Sequence, residues 1–289
     1  MNLHRVLRAA NRLNPTTRGK HRVVSLAMRC HSLPPSGVYD VGCGLRMHLR
    51  ADQFIDRSIY FHAYEPCLSR VLSSRLRSGG VFLDVGANIG YYTLMAARKV
   101  GSAGRVYAFE PNPPVSSRLA ENVVLNGLGN VELHRCALSD ASADMCLYVP
   151  ADEVGYGHAS LCEQGWTAAE RVTVRTQRLD DLLLPQLARC DLVKIDAEGA
   201  ELAVLRGARE LVRRFWPDVI VELNSDASRR FGYLPPELAD FLAKCQPSYR
   251  FRFIDGHSAR DISLAELTRD PQRIGDLLAY VPTLARRAA

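Results

Sequence analysis

No stretch of this 289-residue chain approaches about 18 consecutive apolar residues, which excludes a membrane-spanning helix. The eight cysteines, Cys30, Cys43, Cys67, Cys136, Cys146, Cys162, Cys190 and Cys245, form no Cys-x-x-Cys pair. No Cys/His cluster has zinc-ligand spacing either, so free thiols in a reducing cytoplasm are expected rather than a metal site or a disulfide framework. Lysine is scarce, with Lys20, Lys99, Lys194 and Lys244. None follows a tyrosine by four residues, so the Tyr-x-x-x-Lys pair of a short-chain dehydrogenase is missing. The Gly-x-Gly-x-x-Gly dinucleotide fingerprint is unmet, and no solenoid repeat occurs. Acidic residues are absent from residues 1–39, which hold seven basic ones: Arg5, Arg8, Arg12, Arg18, Lys20, Arg22 and Arg29.

The net charge of +6 therefore belongs to the N-terminal arm. The rest of the chain holds 30 basic and 31 acidic residues. A polyanion-binding fold would carry its basic patch on the main domain, so a nucleic-acid partner is not expected. Hydrophobic residues make up 47% and charged residues 24%, which suits a soluble globular chain with a substantial core and excludes a disordered one. In the arm, Leu3, Val6 and Leu7 recur at helical spacing, with Leu13 beyond. Such a segment could lie on a membrane surface as a peripheral contact or serve as a transit peptide. The simpler expectation is a solvated, partly frayed terminal helix. Pro34, Pro35, Ser36 and Gly37 mark a boundary after it.

Beyond the boundary the chain divides into a pre-domain of strands and a helix over residues 40–78 and a main domain over 79–289. In the main domain, strand-like runs (Val81–Val85, Arg105–Phe109, Val131–Leu138, Leu192–Ile195, Asp218–Leu223, Tyr249–Ile254) alternate with helical ones (Tyr91–Val100, Ser116–Leu125, Glu201–Phe215, Pro236–Lys244). A late apolar piece, Asp276–Val281, closes the series. This alternation predicts an α/β fold whose mostly parallel sheet is covered by helices on both faces. Right-handed crossovers place the strand C-termini along one edge, where ligands bind. Residues from about 140 to 178 break the rhythm. Short alternating pieces (Met145–Val149, Val172–Arg175) around Gly155-Tyr156-Gly157-His158 predict an inserted lid hairpin.

The segment Val81–Tyr92 carries the most information. A strand ends at Asp84, a turn holds Gly86, Asn88 and Gly90, and a helix starts at Tyr91. Glycines there let a ligand approach the main chain. Glu110 closes the next strand, 26 residues after Asp84. Its two carboxylate oxygens can accept both hydroxyl protons of a ribose, which points to an adenosine-type cofactor. The turn reads Asp-x-Gly-x-Asn-x-Gly, and an acid beside it favours a cationic sulfonium cofactor, S-adenosylmethionine, over a pyrophosphate. Ala137, Leu138 and Ser139 follow the third strand and should flank the adenine.

Asp196, Glu198 and Glu201 follow the strand Leu192–Ile195. Carboxylates crowded at a strand end cannot all ionise cheaply, so one of them can serve as a base for an alcohol acceptor. Asp196 is the first choice and Glu198 the second. Glu201 reads as a cap of the next helix. Lys194 interrupts an apolar strand and should pair with a carboxylate. Glu222 and Asn224 end the following strand. With Asp196 they offer oxygen ligands for Mg²⁺, a reading not favoured. His158 is the histidine best placed for substrate contact, though nothing local in sequence fixes its ring. Asp40-Val-Gly-Cys-Gly44 with Tyr64-Glu65-Pro66 imitates a second cofactor turn, but Arg46 stands where a third glycine belongs. Leu49–Ile59 shows no clean helical stripe. Asn112-Pro113-Pro114 suits a helix start rather than a base-stacking motif.

The motifs Asp84–Gly90 with Tyr91-Tyr92, Phe109-Glu110-Pro111, Asn122 and Asn126, Ala137-Leu138-Ser139-Asp140, Leu179-Asp180-Asp181 and Lys194–Glu201 together resemble the FkbM family of methyltransferases. The likeness runs from about Tyr64 to Asn224. It implies a class I methyltransferase fold, a seven-stranded sheet whose last strand is antiparallel. It implies S-adenosylmethionine as cofactor and O-methylation of a hydroxyl on a sugar, lipid or polyketide-type natural product. It makes Pro111 a cofactor contact, and it places Tyr64 and Glu65 at the mouth of the active site. An N-methyltransferase acting on a small amine, a non-catalytic binding module and an NAD(P) oxidoreductase stand as alternatives. Oligomeric state is open, and a homodimer is compatible with the sequence.

Overall fold

The computed structural model describes residues 2–14, 19–30, 33–150, 158–163 and 169–282. Arg18, Gly155, Tyr156 and Gly157, singled out above, lie outside them. The arm forms α1 (Leu3–Leu13) and α2 (Lys20–Arg29). A hairpin of β1 (Gly37–Gly42) and β2 (Leu45–Leu49) follows, then α3 (Phe54–Tyr60) and α4 (Pro66–Arg75). The imitation cofactor turn is the tip of this hairpin, where Gly42, Cys43 and Gly44 all take positive φ. The alternating part begins with β3 (Val81–Val85), α5 (Tyr91–Val100), β4 (Arg105–Phe109), α6 (Pro113–Leu125) and β5 (Val131–His134). The insertion supplies β6 (Ala137–Leu138), β7 (Ala143–Pro150) and β8 (Ala169–Gln177). Next come α7 (Leu179–Leu182), β9 (Leu192–Ile195), α8 (Glu201–Gly207), α9 (Arg209–Phe215) and β10 (Asp218–Leu223). The chain ends through α10 (Ser225–Arg230), α11 (Pro236–Cys245), β11 (Arg250–Ile254), β12 (Ala259–Ile262), α12 (Leu264–Arg269) and β13 (Gly275–Tyr280).

The main sheet runs β12-β11-β13-β10-β9-β3-β4-β5. Five strands, β5 to β10 in that order, are mutually parallel, and β13 is antiparallel to both of its neighbours. The expected mixed sheet with an antiparallel last strand is therefore present, and β12 widens it to eight strands by a hairpin with β11. Interior strands such as β9 bury every residue, as sheets covered on both faces require. The C-terminal ends of β3, β4, β9 and β10 share one edge with the start of β13.

Three elements differ from the sequence expectation. The run Val131–Leu138 is two strands, since Ala137 and Leu138 leave the main sheet to pair with β8 in a separate three-stranded sheet. The segment Glu201–Phe215 is two helices. Gly207 packs so tightly against the Ser139 carbonyl that a Cβ would overlap it, and Asp180 accepts from Glu210 N (3.0 Å) and Leu211 N (2.8 Å) to start α9. Within Leu49–Ile59, α3 does form, with Ile59 and Tyr60 in a core cluster and Ile55 packed against it. It buries Asp56, which accepts from Arg50 N and the Arg118 guanidinium.

The pre-domain is fastened to α6 by two asparagines one turn apart. Asn122 accepts from His48 N (2.8 Å) and donates to the Ile89 carbonyl (2.9 Å). Asn126 accepts from Arg46 N (2.8 Å) and donates to the Arg46 carbonyl (2.7 Å). Asn122 is fully buried. Replacing it with alanine strands a donor on β2 and an acceptor in the glycine turn, at a cost of about 2–3 kcal/mol. Asn122→Ala should lower the midpoint of thermal unfolding by several degrees in calorimetry. An unchanged midpoint would mean that β2 and the turn are held independently.

The arm is not the solvated, frayed helix expected from its charge. Asn11 is 1% exposed and donates to the carbonyls of Lys20 and Phe61. Val24 and Ala27 of α2 join a core cluster with Met47, Phe61 and Ile89. All eight cysteines are free thiols. No helix among the described residues is long and apolar enough to cross a membrane.

Candidate active site

The turn after β3 is shaped by what surrounds it. Gly86 takes φ +74, and a Cβ there would overlap the carbonyl oxygen of Asp196 at the end of β9. Glycine alone allows the two strand ends to approach this closely. The N–H groups of Gly86 and Ala87 both donate to Phe109 O at 3.0 Å, which ties the turn to the end of β4. Gly90 takes φ +94 as it enters α5 and faces Leu119 of α6.

Glu110 sits just beyond β4, 7% exposed, on the wall of a cavity of about 200 Å³. Its Oε2 accepts from Asn88 N and its Oε1 from Asn112 N, each at 2.9 Å. The carboxyl is thereby fixed in orientation while each oxygen keeps a further lone pair for a ligand hydroxyl. Burial raises its pKa to about 7, against the pull of those two N–H groups.

The cavity runs over the ends of β3, β4 and β9. Of the residues singled out from sequence, Gly86, Asn88, Tyr91, Glu110, Pro111, Ala137, Leu138, Asp196, Glu198, Tyr64, Glu65, His158 and Glu222 line it. Four others do not. Asp84 is fully buried beneath the turn, where its Oδ2 accepts from the Thr93 hydroxyl at 2.6 Å. Gly90 packs against Leu119 instead, and Ser139 points its N–H at Gln177 O. Asn224 caps α10 by accepting from Ala227 N (3.2 Å), so it does not join Asp196 and Glu222 as an oxygen ligand. Among the described residues, no three His, Cys, Asp or Glu side chains are grouped to hold a metal ion.

Also on the cavity wall, Tyr64, Tyr91 and Tyr92 form an aromatic cluster with centroids 5.3–6.0 Å apart. The Tyr92 hydroxyl donates to Glu65 Oε2 at 2.6 Å. Lys194 is 3% exposed, lies over the Tyr92 ring and donates to Asp196 Oδ2 at 3.0 Å. Burial alone would lower the ammonium's pKa. The carboxylates of Asp196, Asp84 and Glu65 outweigh it and push the pKa above its ordinary value.

His158, between β7 and β8, places Nδ1 2.7 Å from Glu198 Oε1. The Ser160 hydroxyl donates to the Glu198 carbonyl at 2.9 Å. Glu198 itself takes φ +50, a strained conformation for a residue with a side chain. That turn is held by Glu201, which accepts from Ala197 N and Gly199 N at 3.0 Å and from the Tyr233 hydroxyl at 2.7 Å. The ring of His158 is thus fixed by a partner 40 residues away, a pairing that sequence spacing does not reveal.

A second cavity of about 190 Å³ adjoins the first and shares Glu65, Asp196 and Glu222 with it. Asp276 of β13 completes its acidic wall. Burial first, and then the neighbouring carboxylates, raise Glu222 and Asp276 well above the usual carboxylate range. Sequence reading missed Asp276, whose place opposite Glu222 comes from the antiparallel register of β10 and β13. It also missed Phe54 and Ile55 of α3, and Cys136, Leu147 and Leu161, which belong to the first cavity's apolar lining.

The lining fits an adenosylated, cationic ligand. Asn112 Nδ2 and Glu222 Oε2 are buried on residues lining the first cavity and have no hydrogen-bond partner among the described residues. A donor and an acceptor left unsatisfied there call for a polar ligand.

A family model for the methyltransferase FkbM domain matches residues 84–253. Methyltransferase 1 of Beauveria bassiana is 34% identical over 49% of this chain and 63% of its own length. The chain thus spans less than two thirds of that relative. The hexuronic acid methyltransferase AglP of Haloferax volcanii is 31% identical over 62% of this chain and 68% of its own. The 31-O-demethyl-FK506 methyltransferase FkbM of Streptomyces tacrolimicus is 28% identical over 64% and 76%. The crystal structure of methyltransferase FkbM from Methylobacillus flagellatus KT aligns with a TM-score of 0.45 at 18% identity, covering 80% of this chain and 55% of that one. With more than half of its length matched by the family model, the protein belongs to the FkbM family of S-adenosylmethionine-dependent methyltransferases.

Proposed function

We propose that the protein is an O-methyltransferase that moves the methyl group of S-adenosylmethionine to a hydroxyl of a small molecule, of sugar, glycolipid or polyketide type. The observation that carries this reading is Glu110, held by two backbone N–H groups opposite the glycine turn on the cavity wall. A carboxylate so fixed suits the two hydroxyls of a ribose. Gly86 and Asn88 would border the amino-acid end of the cofactor, with Asp196 and Tyr91 beside it. Ala137 and Leu138, together with Pro111, would enclose the adenine. The names of two relatives, one for a hexuronic acid and one for an O-demethylated substrate, support a hydroxyl acceptor.

When bound, the cofactor supplies an electrophilic methyl group in line with the acceptor oxygen. The chain's own part is to orient that oxygen, exclude water and take its proton. Glu65 and Glu222, which line both cavities, and Tyr64 on the wall of the first would hold the acceptor. Orientation of this kind can supply roughly 7–11 kcal/mol of a barrier. Asp196 already accepts from the Lys194 ammonium, which favours a binding role for it over proton removal. His158, with Nδ1 held by Glu198, has the arrangement of a general base positioned by a carboxylate. Amine methylation is the second reading, favoured by the unpartnered Glu222 Oε2 beside the second cavity.

Calorimetric titration with S-adenosylhomocysteine should show one site per chain, and titration with NAD should show none. No binding of the former would overturn the reading. Glu110→Gln should weaken that binding about ten- to a hundredfold, because an amide cannot accept two hydroxyl protons. The wild type carries its own control. Glu110 ionises at about pH 7, so affinity should fall about tenfold from pH 8 to pH 6 as the carboxylate is protonated. Glu110→Gln should lose that dependence. Methyl transfer to paired hydroxyl and amino acceptors then separates the two chemistries.

A further inference from the structure

We infer that the outward face of α1 and α2 is a docking surface for an anionic lipid bilayer, reached by peripheral contact. This inference is independent of the methyl acceptor. The polarity of α1 is reversed. The inward side of α1 carries His4 and Asn11, both buried. His4 Nδ1 lies 2.9 Å from the Tyr60 hydroxyl, and Asn11 donates to two backbone carbonyls. The Lys20 ammonium returns a bond to Asn11 O at 2.9 Å. These polar anchors fix the helix about its axis. The side they turn outward holds Leu3, Val6 and Leu13, which are 40%, 40% and 81% exposed and share one helical face. On α2, Leu26 is exposed on the helical face that carries Arg22 and Arg29.

The charged side chains that α1 and α2 themselves carry have one sign. Arg5, Arg22 and Arg29 are exposed, and none has an acidic partner among the described residues. Arg12 lies 3.7 Å from Asp40, the first acid of the chain. An acidic protein would satisfy the arginines and leave the leucines unanswered. A second copy would cover the leucines and bring like charge against like. An anionic bilayer meets both demands, since its headgroups pair with arginine and its acyl boundary takes up the apolar side chains.

The full chain should co-sediment with phosphatidylcholine vesicles containing phosphatidylserine, more weakly with phosphatidylcholine alone, and less as salt rises. Each basic residue at an anionic surface is worth roughly fivefold, so Arg5→Glu/Arg22→Glu/Arg29→Glu should weaken partitioning by about a hundredfold or more. Leu3→Ser/Val6→Ser/Leu13→Ser should also reduce it. Both variants should bind S-adenosylhomocysteine like the wild type, which shows that they fold. Equal sedimentation with both vesicle types would overturn the inference, as would unchanged sedimentation of folded variants. A concentration-dependent dimer abolished by the serine substitutions would overturn it too, by assigning the face to a second copy.

Discussion

Lys194→Met should destabilise the protein by about 3–5 kcal/mol, the cost of leaving buried carboxylates without their cation. The ammonium is 3% exposed and faces Asp196, Asp84 and Glu65. Asp84 is fully buried, and its Oδ1 has no hydrogen-bond partner among the described residues. Methionine fills similar volume but supplies no charge. The pH dependence carries the sign. Burial raises the pKa values of Asp84 and Glu65 in the folded state, while Lys194 lowers them. A carboxyl whose folded pKa is raised favours folding below its unfolded pKa and loses that contribution as pH rises through the folded value. Without the lysine both pKa values rise further, so the variant's deficit should be largest near pH 8 and shrink toward pH 5, where the carboxyls protonate. Denaturant unfolding of both proteins at the two pH values measures this. A deficit below about 1 kcal/mol, or one that does not change with pH, would show that the cluster is neutralised by other means.

The same cluster marks the limit of what the sequence carried. Each carboxylate at a strand end was recognisable because the strands themselves were: β3, β4, β9 and β10 are short, apolar and bounded by turn residues. Their shared edge follows from right-handed crossovers, so Gly86, Glu110, Asp196 and Glu222 could be brought together on topology alone. Depth could not be read the same way. Asp84 looks like a ligand contact in sequence, yet the α5 hydroxyl of Thr93 draws it beneath the turn. Asn224 reads as a ligand and serves as a helix cap. Asp276 belongs to a strand added last and paired antiparallel, so its place beside Glu222 depends on a register that local pattern does not encode. The arm misled for a related reason. Its charge predicts solvation, while two polar side chains, His4 and Asn11, dock it through hydrogen bonds that hydrophobic periodicity does not register, and Lys20 ties α2 to α1.

His158→Ala should lower kcat for a hydroxyl acceptor by about 10²–10⁴-fold at saturating cofactor, with little change in S-adenosylhomocysteine affinity. His158 lines the cavity from between β7 and β8, and Glu198 Oε1 fixes its Nδ1 at 2.7 Å. The tautomer that donates from Nδ1 to Glu198 leaves Nε2 as the basic nitrogen. An imidazole must be neutral to take a proton, so kcat should rise with pH along an acid limb that the alanine variant lacks. Saturating cofactor keeps the titration of Glu110 out of that profile. In the proposed chemistry Glu198 acts through the ring and not on the substrate. Glu198→Gln should therefore cut kcat less, by roughly tenfold, and move the acid limb to lower pH, because the imidazolium loses its anionic partner. A residue that merely supports the fold would lower kcat without moving the limb. Asp196→Asn separates the two candidate bases. With Lys194 as its partner, Asp196 should matter for cofactor affinity more than for kcat. If Asp196→Asn abolished turnover at unchanged affinity while His158→Ala retained the acid limb, the proton would go to Asp196, and the histidine would have no part in the chemistry.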